Sequence, residues 1–534
     1  MHCKLSTANR QLFNRKPVTR TMQPPPVSIN IFKNSVWNLI LFVIQGVTGL
    51  AMSILIARYL GPELMGEYSY VIWLIGIISL VISLGLPNAI TKFLSELMGS
   101  EDKAHANIIY ATLLQLQFII AIAVSIILIL LFYCNLLPDR KHYYLIAFLS
   151  LVPVCMSAFL TAAFQGLQNF RIISIVGSGT SLLQTALVVL CIKLDAGIMG
   201  LIAVLLIGGL IQTLILLKST NLVLDFTGWL KIPKKLRDNV ARYSLHVYWT
   251  ILLSMIVWQK SEIFFLKMYS TSEAIAFYSI AFNTVMILTT LASLFAAVIF
   301  PVLSNFHGAG YTQGVQNIYA KSIKAVIIFY LPLCICFIAT AKPLVVLMYS
   351  AEYIAVYPLL IIMVVSAMFS ALGIIFANVI LAVNRSDVQA KYVTLQAAVT
   401  IVLDFVLIPP FGATGAAVAN SAVRIASFFV WLWIVQMQLG FSFPWKEVCR
   451  CIVPAIPLAF ILWALGSYYP DSMGIVLVFL AALVIYPVLL CVFKTITGDD
   501  MRIVKEVATI LPGPYEKRVS GFVDKLPIRR GDRG

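Results

Sequence analysis

Six ionisable side chains stand inside or at the edge of otherwise apolar stretches, and any binding chemistry in this chain has to be built around them. Arg424 lies about twelve residues into the apolar run 412–438, roughly 18 Å from its end for a helix rising ~1.5 Å per residue. Lys260 and Glu262 share the run 243–268. Two residues apart, they point about 200° from one another around a helix and cannot serve one partner. Asp404 falls near the end of the run 388–408, where Arg424 on the next helix is its natural counter-charge. Arg242 and His246, four apart, share one face where the run 243–268 begins. An ionisable group at the centre of a membrane helix costs ~2.5–3.5 kcal/mol on insertion scales, so it faces a cavity or a partner. These six are the candidate substrate-binding residues, and structural ion pairs or solvated helix ends are the competing reading for each.

Other chemistries find little support. The nine cysteines include two pairs spaced by two, Cys334 with Cys336 and Cys449 with Cys451, all inside apolar runs. That spacing sends them to different helix faces and suits packing, not a metal or disulfide framework. Acids on the short segments expected outside the membrane are single: Glu63, Asp139, Glu273, Glu352 and Asp471. No paired carboxylates and no His/Cys metal spacing stand out, so an enzyme, a metal site and a cofactor are not expected.

The elements that carry these residues follow from composition. Of 534 residues 61% are hydrophobic and only 11% charged, with a mean hydropathy of +0.95. A soluble domain carries about 25% charged residues, so lipid must be the solvent. With about 20 apolar residues per spanning helix, the sequence predicts an all-α polytopic membrane protein of about fourteen transmembrane helices. The predicted spans are 35–59, 67–91, 108–133, 143–166, 172–193, 197–218, 243–268, 276–303, 318–341, 355–383, 388–408, 412–438, 448–467 and 473–493. A short piece at 343–350 stands apart. The domain organisation is then a basic cytoplasmic tail 1–34, a six-helix N-lobe 35–218, a cytoplasmic linker 219–242, a six-helix C-lobe 243–438, two additional helices 439–493 and a second basic tail 494–534. The first thirty residues, with Pro24-Pro25-Pro26, read as a disordered tail without a signal peptide. Met501 to Leu511 reads as amphipathic.

The net charge of +16 is topological information. About thirty of the 38 Lys and Arg fall on the side of the termini, against Arg58, Arg140, Lys141, Lys193, Lys267 and Lys342 on the other. Both termini are therefore expected in the cytoplasm, and nucleic acid is not an expected partner. An internal repeat supports two lobes. Tyr59, Glu63, Tyr68 and Ser69 recur as Tyr269, Glu273, Tyr278 and Ser279, and Gly197-Ile198-Met199-Gly200 returns as Gly412-Ala413-Thr414-Gly415. Six spans separate the copies, so the repeat is parallel.

Three motifs carry a family resemblance. Ala57-Arg58-Tyr59-Leu60-Gly61-Pro62-Glu63-Leu64-Met65-Gly66-Glu67-Tyr68-Ser69 closely resembles the signature of the polysaccharide transporter family, the O-antigen flippases and related polysaccharide biosynthesis membrane proteins. Leu407-Ile408-Pro409-Pro410-Phe411-Gly412-Ala413-Thr414-Gly415-Ala416-Ala417-Val418-Ala419 and Phe164-Gln165-Gly166-Leu167-Gln168-Asn169 are similar to its second hallmark and to its fourth-to-fifth helix connection. The resemblance covers about 35–495 and implies a relative of the multidrug extrusion and lipid II flippase folds. It implies cargo of the polyprenyl diphosphate-linked oligosaccharide type, moved from the cytoplasmic to the outer leaflet of the cell membrane by alternating access between lobes. Membrane lipids are then partners, a coupling ion (H+ or Na+) is left open, and so is the oligomeric state. Buried cations would replace the hydration of the diphosphate. Gln45, Gln115, Gln184, Gln212, Asn283 and Trp258 would either pack between helices or meet sugar hydroxyls. An exporter of drugs or metabolites is the alternative, disfavoured because no Asp or Glu occurs between Val36 and Tyr59.

Overall fold

The computed structural model describes residues 27–136, 141–220 and 237–495, apart from 239, 246, 250, 251, 253–260, 384 and 470. Both tails beyond 27–495 lie outside the described residues, and with them the stretch Met501 to Leu511. Most of the described chain is helical. In order come α1 (Val27–Ser83), α2 (Leu86–Gly99), α3 (Lys103–Tyr133), α4 (Tyr143–Gly166), α5 (Phe170–Lys193) and α6 (Gly197–Ser219). After the linker follow α7 (Glu262–Tyr269), α8 (Ser272–Gly308), α9 (Thr312–Ala339), α10 (Ala341–Tyr349) and α11 (Val356–Ala382). The last three are α12 (Ser386–Leu439), α13 (Trp445–Tyr468) and α14 (Ser472–Val492).

Eleven helices among the described residues are long and apolar enough to cross a membrane. Two of them, α1 and α12, bend sharply, and each holds two of the predicted spans. The bends are at Gly61 (φ 71°) and Gly412 (φ 53°), left-handed conformations that favour glycine. Pro62 follows the first bend and Pro409-Pro410 precede the second; proline lacks the N–H that would continue the helical ladder. Thirteen of the fourteen predicted spans are thus accounted for, and most of the remaining one, 243–268, lies outside the described residues. The piece predicted at 343–350 is the short helix α10. One boundary differs from expectation: the predicted span 67–91 divides at Leu84 and Gly85 (φ 45° and 74°), with Pro87 in the first turn of α2.

Large apolar side chains in mid-helix face outward, among them Ile119, Phe460 and Leu483, which is 73% exposed. Only lipid makes that arrangement stable. Inside, α2, α3, α4 and α5 close an N-lobe core around Ile90, Tyr110, Phe159 and Phe164. A larger core joins α1 to α8, α9 and α11. Helices α13 and α14 pack on α9 around Leu458, Leu462 and Val478; we name α1–α6 the N-lobe and α7–α12 the C-lobe. Gly197 and Gly412, equivalent in the sequence repeat, both have positive φ, 58° and 53°. Tyr59 Oη accepts from Gly197 N at 2.9 Å, and Ser270 Oγ lies against Gly412.

Candidate functional site

The two arms of α1, either side of the bend at Gly61, wall a cavity of about 490 Å³ together with Asn283 of α8. Its wall combines Met52, Ile56, Ile72 and Leu80 with Ser53, Tyr68, Ser69, Trp73 and, from the other lobe, Asn283. A second hollow of about 300 Å³ shares Gly49, Ser53 and Asn283 with it and adds Gln45, Thr284 and Tyr349. Gly46, Gly49 and Gly76 line this space, and a Cβ on any of them would meet no atom within 4 Å. Asn283 and Gln45, amides in the middle of apolar helices, are exposed into the hollow. No charged side chain appears among the described residues of either wall.

At one end the lobes are clamped together. Arg58, at the end of the first arm of α1, donates through Nε to Met348 O at 2.8 Å and through a terminal nitrogen to Leu347 O. These carbonyls belong to the last turn of α10, where carbonyls lack helical partners and the helix dipole is negative. Tyr353 Oη donates to Ala57 O at 2.7 Å, and Ser53 Oγ lies 3.4 Å from Tyr349 Oη. Gly66 abuts the Ser272 carbonyl so closely that a Cβ would overlap it. On the same side Lys141 pairs with Glu67, which also accepts from Tyr143 Oη at 2.9 Å. That pairing offsets one of the six basic residues expected on the side opposite the termini.

The C-lobe holds a buried polar relay. Glu262, Asp404 and Arg424 are 1%, 0% and 4% exposed, in helices α7 and the two arms of α12. Ser261 Oγ donates to Asp404 Oδ2 at 3.1 Å, and Asn420 Nδ2 donates to Glu262 Oε1 at 2.7 Å. Arg424 Nε donates to Asn420 Oδ1 at 2.6 Å, one terminal nitrogen reaches Ser370 Oγ at 3.5 Å, and the guanidinium stands 5.7 Å from the Phe282 ring centroid. Asp404 Oδ1 has no hydrogen-bond partner among the described atoms. Arg424 also borders a small cleft of about 100 Å³ with Gln396, Tyr392 and Ser427.

The structure therefore gathers Arg424, Glu262 and Asp404 into one cluster inside the C-lobe, away from the interlobe cavity. The relay from Arg424 runs through Asn420 to Glu262, not to Asp404, the counter-charge expected from neighbouring spans. Arg242, the last residue of the predicted linker 219–242, is exposed and belongs to neither the cluster nor the described cavity wall. Lys260 and His246 lie outside the described residues, as does Trp258. Of the mid-span amides, Gln45 and Asn283 reach the cavity, whereas Gln184 packs against Gly208. Sequence reasoning named Tyr68 only within the repeat and the family motif, and passed over Trp73, the three open glycines and Asn420. Asn420 was findable, because a polar residue four before a buried Arg shares its helix face.

Comparison with known proteins agrees with this architecture. A family model described as MatE matches residues 250–409. The chain is 21% identical over 433 residues to the putative O-antigen transporter of Shigella flexneri, an alignment covering 76% of this chain and 98% of that one. It is 21% identical over 202 residues to the probable low-salt glycan biosynthesis flippase Agl15 of Haloferax volcanii, covering 38% of this chain and 43% of that protein. The first relatives are thus matched over about two-fifths of their length. The solved structure of the lipid II flippase MurJ in its inward closed conformation superposes with a TM-score of 0.73 at 16% identity, over 86% of this chain and 98% of that one. The family model described as polysaccharide biosynthesis protein matches residues 31–307, and the chain belongs to that family, within the multidrug/oligosaccharidyl-lipid/polysaccharide exporter superfamily.

Proposed function

We propose that this multi-pass transporter flips a lipid-linked oligosaccharide of the polyprenyl diphosphate type from the cytoplasmic to the outer leaflet of the cell membrane by alternating access. The observation that carries this reading is the cavity between α1 and α8, closed at one end by the Arg58 clamp. The charge bias supports an orientation with both termini in the cytoplasm and the clamp on the outer side. A saccharide would enter the cavity from below while its lipid tail stays in the bilayer, and rocking of the lobes would exchange the closed end.

The C-lobe cluster supplies a place for coupling. Its described members are two carboxylates and one guanidinium, and an uncompensated buried charge costs several kcal/mol. Uptake of one H+ or Na+ by Glu262 and Asp404 neutralises the set, and the relay through Asn420 and Arg424 to Ser370 on α11 couples that uptake to helix packing. Glu262, Asp404 and Arg424 thus serve transport by biasing the lobes, without touching cargo.

The test is reconstitution in proteoliposomes with a short-chain polyprenyl diphosphoryl disaccharide, whose arrival in the far leaflet is read by lectin binding. Transport is expected, and a short bis-maleimide bridge between Ser53→Cys and Tyr349→Cys is expected to stop it. Transport that continues across the bridge refutes alternating access, and no transport of any lipid-linked saccharide refutes the flippase reading.

A further inference from the structure

The cleft of about 100 Å³ inside the C-lobe is separate from the interlobe cavity and ends on Arg424. Ser370 and Ala377 line it from α11, Gln389 and Gln396 from the first arm of α12, and Arg424 and Trp431 from the second. Each pair is seven residues apart on one helix face, so the cleft runs about two turns, ~10 Å. Its far end, by Ala377 and Gln389, lies where α11 gives way to α12, and Gln389 is half-buried there. The side chains at the closed end are hydrogen-bond donors. Arg424 turns Nε to Asn420 and the acids beyond it, while a terminal nitrogen reaches Ser370 on the cleft wall. A guanidinium has five N–H donors and holds several partners at once. Tyr392 is 7% exposed, and its Oη makes no hydrogen bond among the described atoms. Ser427 approaches that hydroxyl without hydrogen-bonding geometry. Trp431 faces Gly373 across the cleft with Cδ1, the carbon bonded to its indole N–H, a group that only donates. Gln396, 6% exposed, adds an amide. The volume has room for a small ion with a few waters and falls well short of the ~300 Å³ at which organic-ligand sites begin. A cation entering the cleft would meet the guanidinium before either carboxylate, whereas an anion would be drawn to it.

We propose that this cleft binds one small monovalent anion of the halide kind, held by the Arg424 guanidinium, Tyr392 Oη, the Gln396 amide and the indole N–H of Trp431. The site goes beyond the flippase reading and does not depend on the cargo. One guanidinium offsets one negative charge, and a doubly charged phosphate or sulfate would keep a buried charge unmatched. Charge balance permits the anion. Glu262 and Asp404 can take up two cations between them, and with both neutralised the guanidinium is the charge left to match.

The full chain, purified in detergent, is melted in rising sodium chloride, sodium bromide, sodium gluconate or sodium sulfate, each series at one ionic strength so that screening is constant. Chloride and bromide are expected to raise the melting temperature saturably, as ligands of the folded state do, and gluconate and sulfate are not. Tyr392→Phe keeps the ring that packs 4.4 Å from Trp431 and is expected to weaken the chloride midpoint ~10-fold, the scale of one lost hydrogen bond to a charge. Gln396→Glu puts a carboxylate in the anion's place and is expected to abolish the saturable rise. Crystals of the unaltered chain grown in bromide, which need no variant to fold, should show anomalous density within hydrogen-bond reach of Arg424. An equal rise in gluconate or sulfate, a chloride midpoint unchanged in both variants, or bromide density elsewhere with none in the cleft would each overturn the site.

Discussion

Replacing Arg58 with alanine is expected to loosen the clamp between lobes by a calculable amount. Arg58 makes two charge-assisted hydrogen bonds across the seam, to Met348 O and Leu347 O. Bonds to charged groups contribute ~1.5–3 kcal/mol each when shielded. Arg58 is exposed, and screening by solvent reduces each to ~0.5–1 kcal/mol. The pair then contributes ~1–2 kcal/mol, a factor of ~5–30 in the ratio of closed to open seam. Tyr353 and Ser53 still bridge the lobes, so the protein should fold and insert normally. Spin labels at the exposed positions Glu63 and Glu273, one on each lobe, report the seam by pulsed electron resonance. Arg58→Ala is expected to raise the odds of the longer-distance population ~5–30-fold. Arg58→Lys should fall between, since a single ammonium cannot hold two adjacent carbonyls as a planar fork does. An unchanged distance distribution in Arg58→Ala would show that the clamp does not hold the lobes, and the conformational scheme built on it would be wrong.

Four further outcomes follow from the same geometry. Gly66→Ala must push the Ser272 carbonyl away, so it should open the seam more than Arg58→Ala in the same spin-label measurement. Gly49→Trp fills the cavity where a Cβ meets nothing within 4 Å; transport should drop ~10-fold or more with an unaltered melting temperature, since no packed atom is displaced. Arg424→Ala removes the cation from a buried set and should destabilise the C-lobe by ~3–5 kcal/mol. It should abolish glycan display at normal insertion level, and wild-type display at equal protein level would remove Arg424 from the mechanism. Asp102 accepts from the His105 N–H at 3.2 Å and from its ring at 2.7 Å, which holds its carboxyl below the usual range. Its stabilising cap on α3 is then present above the ordinary carboxylate pKa and lost as pH falls through the depressed value. Hydrogen exchange at the His105 amide should accelerate only in that acidic window and should lose this pH dependence in Asp102→Asn.

The sequence disclosed the spans because twenty-residue apolar runs are required by bilayer thickness and are hard to imitate. It also indicated breaks between spans at Leu60-Gly61-Pro62 and Pro409-Pro410-Phe411-Gly412, which combine glycine's freedom with proline's missing donor. Their consequence was less visible: each motif joins two spans into one bent helix without an intervening loop. What stayed hidden was which side of each span faces the cavity. A helix that is apolar all round has little amphipathic periodicity, so Trp73 and Tyr68 cannot be told from lipid-facing neighbours such as Phe118. Polar exceptions were legible, and Gln45 and Asn283 stood out for that reason. The same logic applies to Arg424, which also borders the small cleft beside Gln396 and Ser427. Its charge demanded a partner, and the C-lobe interior supplied one through Asn420.

The central claim is that one cavity between two lobes is exposed to one face of the membrane at a time. A single cysteine at Gly76, on the cavity wall with open space around it, tests it most directly. With residues 53 and 349 bridged by a cleavable cross-link, an impermeant maleimide should reach Gly76→Cys from the cytoplasmic face only, and labelling from the outer face should return when the bridge is cut. Labelling from the outer face while the bridge is intact would contradict the account.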